Sequence, residues 1–359
     1  MNHAIIRHAQ PGSLICLSAL TVMFSAATLG QPTTSESETS APAGSVQAEK
    51  WIAPIPVESI GLHYPAAEDR ANVEGWVLVE MMLDRKGKPF EVAVVASSGN
   101  PNFEKEAVRA AESVNFSPGT LNGQPTESVF RLKIQFAKGA SGPAARPDFI
   151  AHYLSLQRAV AAGNKDAADD AMQGLNVGNL YEDAYFGLAS YQYARRWGDE
   201  TQQLAGLRRA IAYESRAKYL AETEFRSALI QCLALEVRLH RYLEAQDTWA
   251  SLQSSGADPA IQSKIRPMMQ QIDKIRVSGI AYDVPGSMPN GTWTLGLYKS
   301  KFRIKVDQGH ISDIRLRCAK GFERFAFDPV REFQLDTKYG NCSMELEGEP
   351  GTQFTLTQF

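Results

Sequence analysis

No stretch beyond residue 30 is long and apolar enough to cross a bilayer, so no membrane-spanning helix is expected there. Histidine is scarce, with six in 359 residues. His3 and His8 lie at the extreme N-terminus, while His63, His152, His240 and His310 stand with no partner at metal-ligand or triad spacing. There is no nucleophile elbow, P-loop, GxGxxG strand–turn–helix or HExxH sequence. With neither a CxxC pair nor a His/Cys cluster, zinc has no ligand set to use. The formal net charge of −3 gives neither the basic footprint of a nucleic-acid binder nor an acidic solvating tail. No catalytic, cofactor-binding or metal-ligating residue can be nominated. The expectation is a protein that binds, not an enzyme, and one that needs no cofactor.

The N-terminus is distinctive. "MNHAIIRHAQPG" carries one arginine and no acid, and "SLICLSALTVMFSAATLG" (13–30) is an apolar run ending in small residues. Residues 1–30 therefore read as a secretory leader cut after Ala27 or Gly30, with an uncleaved membrane anchor as the alternative. Membrane contact is expected only if the anchor is retained. Residues 31–50 are Ser, Thr, Pro, Ala and Glu with little that is apolar, a disordered tether. Fully extended it reaches at most about 70 Å. Export also changes how the four cysteines are read. Cys16 leaves with the leader, and Cys232 sits in an apolar helical pattern as a buried hydrophobe. Cys318 and Cys342 lie in strand patterns, close a short loop and are expected to form a disulfide in an oxidising compartment.

Three further regions follow. In 51–138, Val77, Val79, Met81 and Leu83 alternate onto one strand face, "DRKGKP" supplies a turn, and "FEVAVVASS" is a second strand. Phe103, Ala107, Ala110 and Val114 recur at helical spacing. A last strand places Phe130, Leu132, Ile134 and Phe136 on one face and Arg131, Lys133 and Gln135 on the other. Two hairpinned strands, a helix and a last strand make a small α+β domain with the helix over one sheet face.

Residues 147–276 are helical, with hairpin stops at Gly163 and Gly198 and a third turn near Arg241-Tyr242. That spacing is similar to a degenerate tetratricopeptide-type array, and an ordinary helical bundle is the alternative. Residues 280–359 alternate as strands, a small all-β sandwich or barrel stapled by Cys318–Cys342. The fold class is thus multidomain: small α+β, α-helical hairpin array, small all-β.

Tyr64-Pro65, "VEGWVLV" (73–79), "DRKGKP", "SSG" (97–99), "NFEKEAVRAAES", "VNFSPG" (114–119) and "NGQP" (122–125) stand in the order of the TonB C-terminal domain family, which the chain resembles over about 55–138. The resemblance implies capture of an extended segment of an outer-membrane transporter, added as a strand to the last strand of the sheet. It places that edge at Ser128 to Phe136, with Ser128, Val129, Arg131 and Lys133 as partner-binding residues and His63 just before the Tyr-Pro. The alternative is an edge strand merely protected by Arg131 and Lys133. The full length is not that of a standard transducer, because the tether is short and two more regions follow. The resulting expectation is a periplasmic protein-interaction protein of a diderm envelope, with a link to TonB-dependent transport, partners that are proteins, and no nucleic acid. Two alternatives stand beside it. One is an inner-membrane-anchored transducer. The other is an enzyme or carbohydrate-binding module in the β region, which an exposed platform around Trp293 and Tyr298 would support.

Overall fold

The structure, a computed structural model, describes residues 5–8, 49–138, 144–212, 219–329 and 331–359. The expected leader (1–30) and tether (31–50) lie outside the described residues, apart from the backbone of 5–8 and residues 49 and 50.

The N-terminal part contains β1 (Ile5–His8), β2 (Trp51–Ile52), β3 (Ile55–Pro56), α1 (Ala66–Ala71), β4 (Gly75–Leu83) and β5 (Pro89–Ser97). It continues with α2 (Pro101–Ser113), β6 (Phe116–Ser117), β7 (Gly119–Leu121), β8 (Gln124–Thr126) and β9 (Ser128–Phe136). The main sheet is antiparallel in the order β1-β9-β4-β5. Asn100 caps α2 by accepting from the backbone N–H of Asn102 and Phe103, and Pro101 suits the first turn because its missing N–H has no helical partner to lose. The α2 face of Phe103, Ala107, Ala110 and Ala111 packs on Val77, Val79, Met81, Leu132, Ile134 and Phe136. Phe103 stacks on Phe136 at 4.3 Å between centroids, and Tyr64 meets both rings edge-on at 5.7 and 5.8 Å. At the β4–β5 turn Gly87 has φ +78°, and a Cβ there would fall 1.8 Å from the Phe116 carbonyl oxygen, so only glycine fits.

The helical region comprises α3 (Pro147–Ala162), α4 (Lys165–Gly174), α5 (Leu180–Trp197), α6 (Glu200–Ala210), α7 (Glu222–Arg238), α8 (Tyr242–Ser254) and α9 (Pro259–Val277). α3 packs on α4, α5 on α6 and α7 on α8. The α5–α6 crossing is close because Gly187 and Gly206 face it. A Cβ on either would lie 2.4 Å from Ala210 N or 2.6 Å from Tyr191 N.

Two sheets close the chain, built from β10 (Tyr282–Met288), β11 (Thr292–Leu297), β12 (Lys301–Gln308), β13 (Ile311–Cys318), β14 (Gly321–Ala326), β15 (Phe333–Gln334), β16 (Cys342–Gly348) and β17 (Thr352–Gln358). Their orders are β10-β17-β12-β15 and β11-β16-β13-β14, and Leu295, Phe302, Ile314, Met344, Phe354 and Leu356 fill the space between them. Cys318 and Cys342 stand opposite each other in β13 and β16 and are disulfide-bonded. Cys232 is buried and free. Trp293 packs edge-on against core Phe354, and buried Tyr298 donates its hydroxyl to the Ile272 carbonyl. These two aromatics form no exposed platform, which removes the observation that a carbohydrate-binding reading of this region called for.

Glu345 of β16 lies between Arg315 and Arg317 of β13, 2.7 and 2.6 Å away. Burial raises its pKa, but the hydrogen bonds and charges of Arg317 and Arg315 outweigh this and hold the carboxyl below its usual range. A depressed folded-state pKa stabilises the fold above the unfolded value of about 4.3, and that share is lost as pH falls through the folded value. Acid unfolding of Glu345→Gln should therefore be flatter below about pH 4.3 than that of the parent, followed by circular dichroism. Replacing Cys318 and Cys342 by serine should cost about 3 kcal/mol in urea unfolding, from lost loop-closure restraint.

Candidate binding edge and its surroundings

β9 is hydrogen-bonded to β4 along its whole length, Ser128 opposite Leu83 through Phe136 opposite Gly75. On its outer side β1 runs antiparallel and, among the described residues, pairs with Leu132 to Gln135. Because side chains alternate, Phe130, Leu132, Ile134 and Phe136 join the α2 core, while Val129, Arg131, Lys133 and Gln135 share the second sheet face.

The structure divides the five nominated residues. Ser128 is fully buried next to Gly119, on the core side. His63 lies on the α2 side: its backbone N–H donates to Glu106 Oε1 at 2.7 Å, and Arg109 Nη2 sits 2.8 Å from Nδ1. A guanidinium can only donate, so Nδ1 is the acceptor there. Arg109 also donates to Glu106 and holds that carboxyl below the ordinary range. Val129, Arg131 and Lys133 point to the opposite face, away from His63.

That second face is not open to solvent as the polar side of β9 suggested. Gln135, Glu80 and Met82 are all buried, and Arg131 Nε donates to Glu80 Oε2 at 2.7 Å. Burial lowers the Arg131 pKa, but the Glu80 charge, with Asp247 and Glu244 behind it, raises it further. Lys133 lies over the Trp76 ring at 5.3 Å. The helical region covers this face. Trp76, Leu78, Ala96 and Ala137 pack with Leu180, Ala184, Ala210 and Phe225.

One buried polar knot fixes the contact. Trp76 Nε1 donates to Asp183 Oδ2 at 2.8 Å, Arg209 Nε donates to Asp183 Oδ1 at 2.8 Å, and Arg209 Nη2 donates to the Ser98 carbonyl at 2.9 Å. Asp183 is fully buried. The backbone joins in, with Glu74 N–H donating to Gly178 O at 2.9 Å.

A second contact binds the β region. β5 carries one extra residue opposite β4 between Phe90 and Ala93, and within this bulge Glu91 takes φ +47°. A non-glycine residue pays for that conformation, and Glu91 gains an outward aim. Its carboxylate comes within 3.6 Å of Arg315, 3.7 Å of Arg317 and 4.0 Å of Arg324. Phe90 beside it meets Phe322 edge-on at 5.4 Å. None of Trp76, Asp183, Arg209 or Glu91 was nominated from sequence. One signal was available: "GWVLVEMML" is apolar at both parities, the mark of a strand buried on both faces. Among the described residues, no group of three or more His, Cys, Asp or Glu side chains is placed to hold a metal.

Residues 61–137 match the family described as the Gram-negative bacterial TonB protein C-terminal. Protein TonB of Xanthomonas campestris pv. campestris (strain B100) is 35% identical over 74 residues, 21% of this chain and 33% of that protein. Protein TonB of Vibrio cholerae serotype O1 is 30% identical over 73 residues, 20% of this chain and 30% of that protein. The similarity is partial, and the chain spans about a third of the length of the curated relatives it matches.

The family match ends before Asp183 and Arg209, while their partners Trp76 and Ser98 lie inside it. Asp183→Ala should cost about 3–5 kcal/mol in urea unfolding, since it strands Arg209 without its counter-charge. Trp76→Phe, which loses one hydrogen bond and keeps the ring, should cost about 1 kcal/mol beyond repacking.

Proposed function

We propose that this chain is a periplasmic protein-interaction protein of the envelope, related to TonB, that captures an extended partner segment by strand addition at the outer edge of β9. The reading extends to outer-membrane transporter segments as partners and to a link with TonB-dependent transport. The observation that carries it is the occupancy of that edge. An extended segment of the chain, Ile5–His8, already runs antiparallel along it, Arg7 being the register partner of Lys133. This segment falls within the expected leader, so its removal would leave Leu132 to Gln135 open to another strand. Main-chain groups there need partners, and an incoming strand supplies them. The match of residues 61–137 to the TonB C-terminal family supports the same edge. No helix among the described residues is long and apolar enough to cross a membrane.

The covered second face changes which substitutions are informative. Arg131→Glu would set a second acid against buried Glu80 and damage the fold, so it cannot report on capture alone. Hydrogen exchange avoids the problem. The chain from residue 31, mixed with a peptide from the N-terminal segment of an outer-membrane transporter, should show slowed amide exchange at alternate residues of 128–136. Unchanged exchange along β9 at saturating peptide would sink strand addition.

A further inference from the structure

With Ile5–His8 in place, the outer edge of β9 is seen as it is when a strand occupies it. One side chain there is left incompletely bonded. Gln135, on the second face, is 2% exposed, and its Oε1 meets no hydrogen-bond donor. The donors around it are engaged elsewhere. Trp76, its register partner on β4, gives Nε1 to Asp183 Oδ2. Arg209 gives its guanidinium to Asp183 and to the Ser98 carbonyl. Lys133, two residues back on the same face, holds its ammonium over the Trp76 ring, 5.3 Å from the centroid. Ala137, next on that face, and Leu78 pack against the helical region. On the outer side the residue in register with Gln135 is Ile5, and an isoleucine brings no side-chain donor.

A buried amide oxygen in this state has lost its water and gained no partner. Two other side chains of the main sheet carry an unmet buried oxygen, Ser128 and Glu80. Ser128 lies on the core side, and Glu80 belongs to the inner strand β4, where Arg131 already donates to its other oxygen. Gln135, in contrast, stands on the paired part of the outer edge.

Residues directly opposite each other in an antiparallel pair share a face, with their Cβ atoms about 4.5–5.5 Å apart. The position opposite Gln135 is therefore the place from which an added strand reaches Oε1. A carboxylate there brings no donor. A lysine or arginine would stand diagonal to Lys133 and meet a like charge on the same face. A carboxamide is neutral and both donates and accepts, so it meets the Gln135 amide at both of its ends.

We propose that the extended segment taken up by β9 carries an asparagine or glutamine at the place that Ile5 holds, and that Gln135 selects for it. The inference rests on the strand-addition reading for the presence of a strand, and on Gln135 for the selectivity. Ile5–His8 fills the edge without that residue and is a weaker occupant than a segment that has it.

The register of β1 on β9 supplies the test within the full chain. Ile5→Gln and Ile5→Met are made, each with Gln135 and with Gln135→Met, and amide exchange is followed at those residues of 132–135 that bond to β1. Methionine matches glutamine in length and brings no donor. Ile5→Gln should exchange about tenfold more slowly than Ile5→Met, the worth of one satisfied buried amide. With Gln135→Met, a swap that conserves side-chain length, the difference should vanish or reverse, because the new carboxamide then has no partner. Equal protection of Ile5→Gln and Ile5→Met beside Gln135, with the edge protected in both, overturns the carboxamide preference and leaves strand addition standing. Slowing by Ile5→Gln that persists with Gln135→Met overturns the part given to Gln135. Unprotected exchange in all four chains overturns strand addition at this edge, and this inference with it.

Discussion

Asp183 is a carboxylate without access to water, and it stays in place because two donors from different parts of the chain share it. Trp76 comes from the middle of the sheet, and Arg209 comes from α6 and also reaches the Ser98 carbonyl at the end of β5. Burying such a charge unpaired would cost several kcal/mol, so the helical region cannot hold Asp183 inside unless the sheet is docked on it. The sheet has the converse need. Trp76, Leu78 and Ala96 would otherwise form an apolar patch on an α+β domain. Each part removes the other's defect, and the covered second face follows from that exchange.

The β region attaches by a different logic. In the Glu91 contact three arginines, from exposed Arg324 to buried Arg317, surround one carboxylate at 3.6 to 4.0 Å, longer than a charge-assisted hydrogen bond, so each pair alone contributes little. What gives it specificity is the bulge, which aims Glu91 out of the strand at a fixed angle, and the Phe90–Phe322 contact next to it. A backbone irregularity thus selects the docking orientation of a sheet more than two hundred residues further on.

Much of this architecture was legible in the sequence. The alternation of Val77, Val79, Met81 and Leu83, the helical spacing of Phe103 through Ala110, and the stops at Gly163 and Gly198 are local signals, and each reports the element that contains it. The disulfide was legible because Cys318 and Cys342 both sat in alternating strand patterns and close a short loop. The environment of Arg131, Lys133 and Gln135 was not. Polar residues at alternate positions look the same whether water or a distant carboxylate satisfies them, and Glu80 and Asp247 leave no periodic trace. β4 itself held a trace that its reading as a one-face alternation of Val77, Val79, Met81 and Leu83 passed over: apolar residues at both parities.

Trp76 and Asp183 are separated by 107 positions, and Glu91 waits for arginines that lie still later in the chain. Synthesis proceeds from the N-terminus, so the sheet is complete long before anything exists to cover its second side. During that interval Trp76, Leu78 and Met82 face solvent, next to a sheet edge whose main-chain groups are open to pairing. The newly emerged chain therefore passes through a stage that is most prone to self-association.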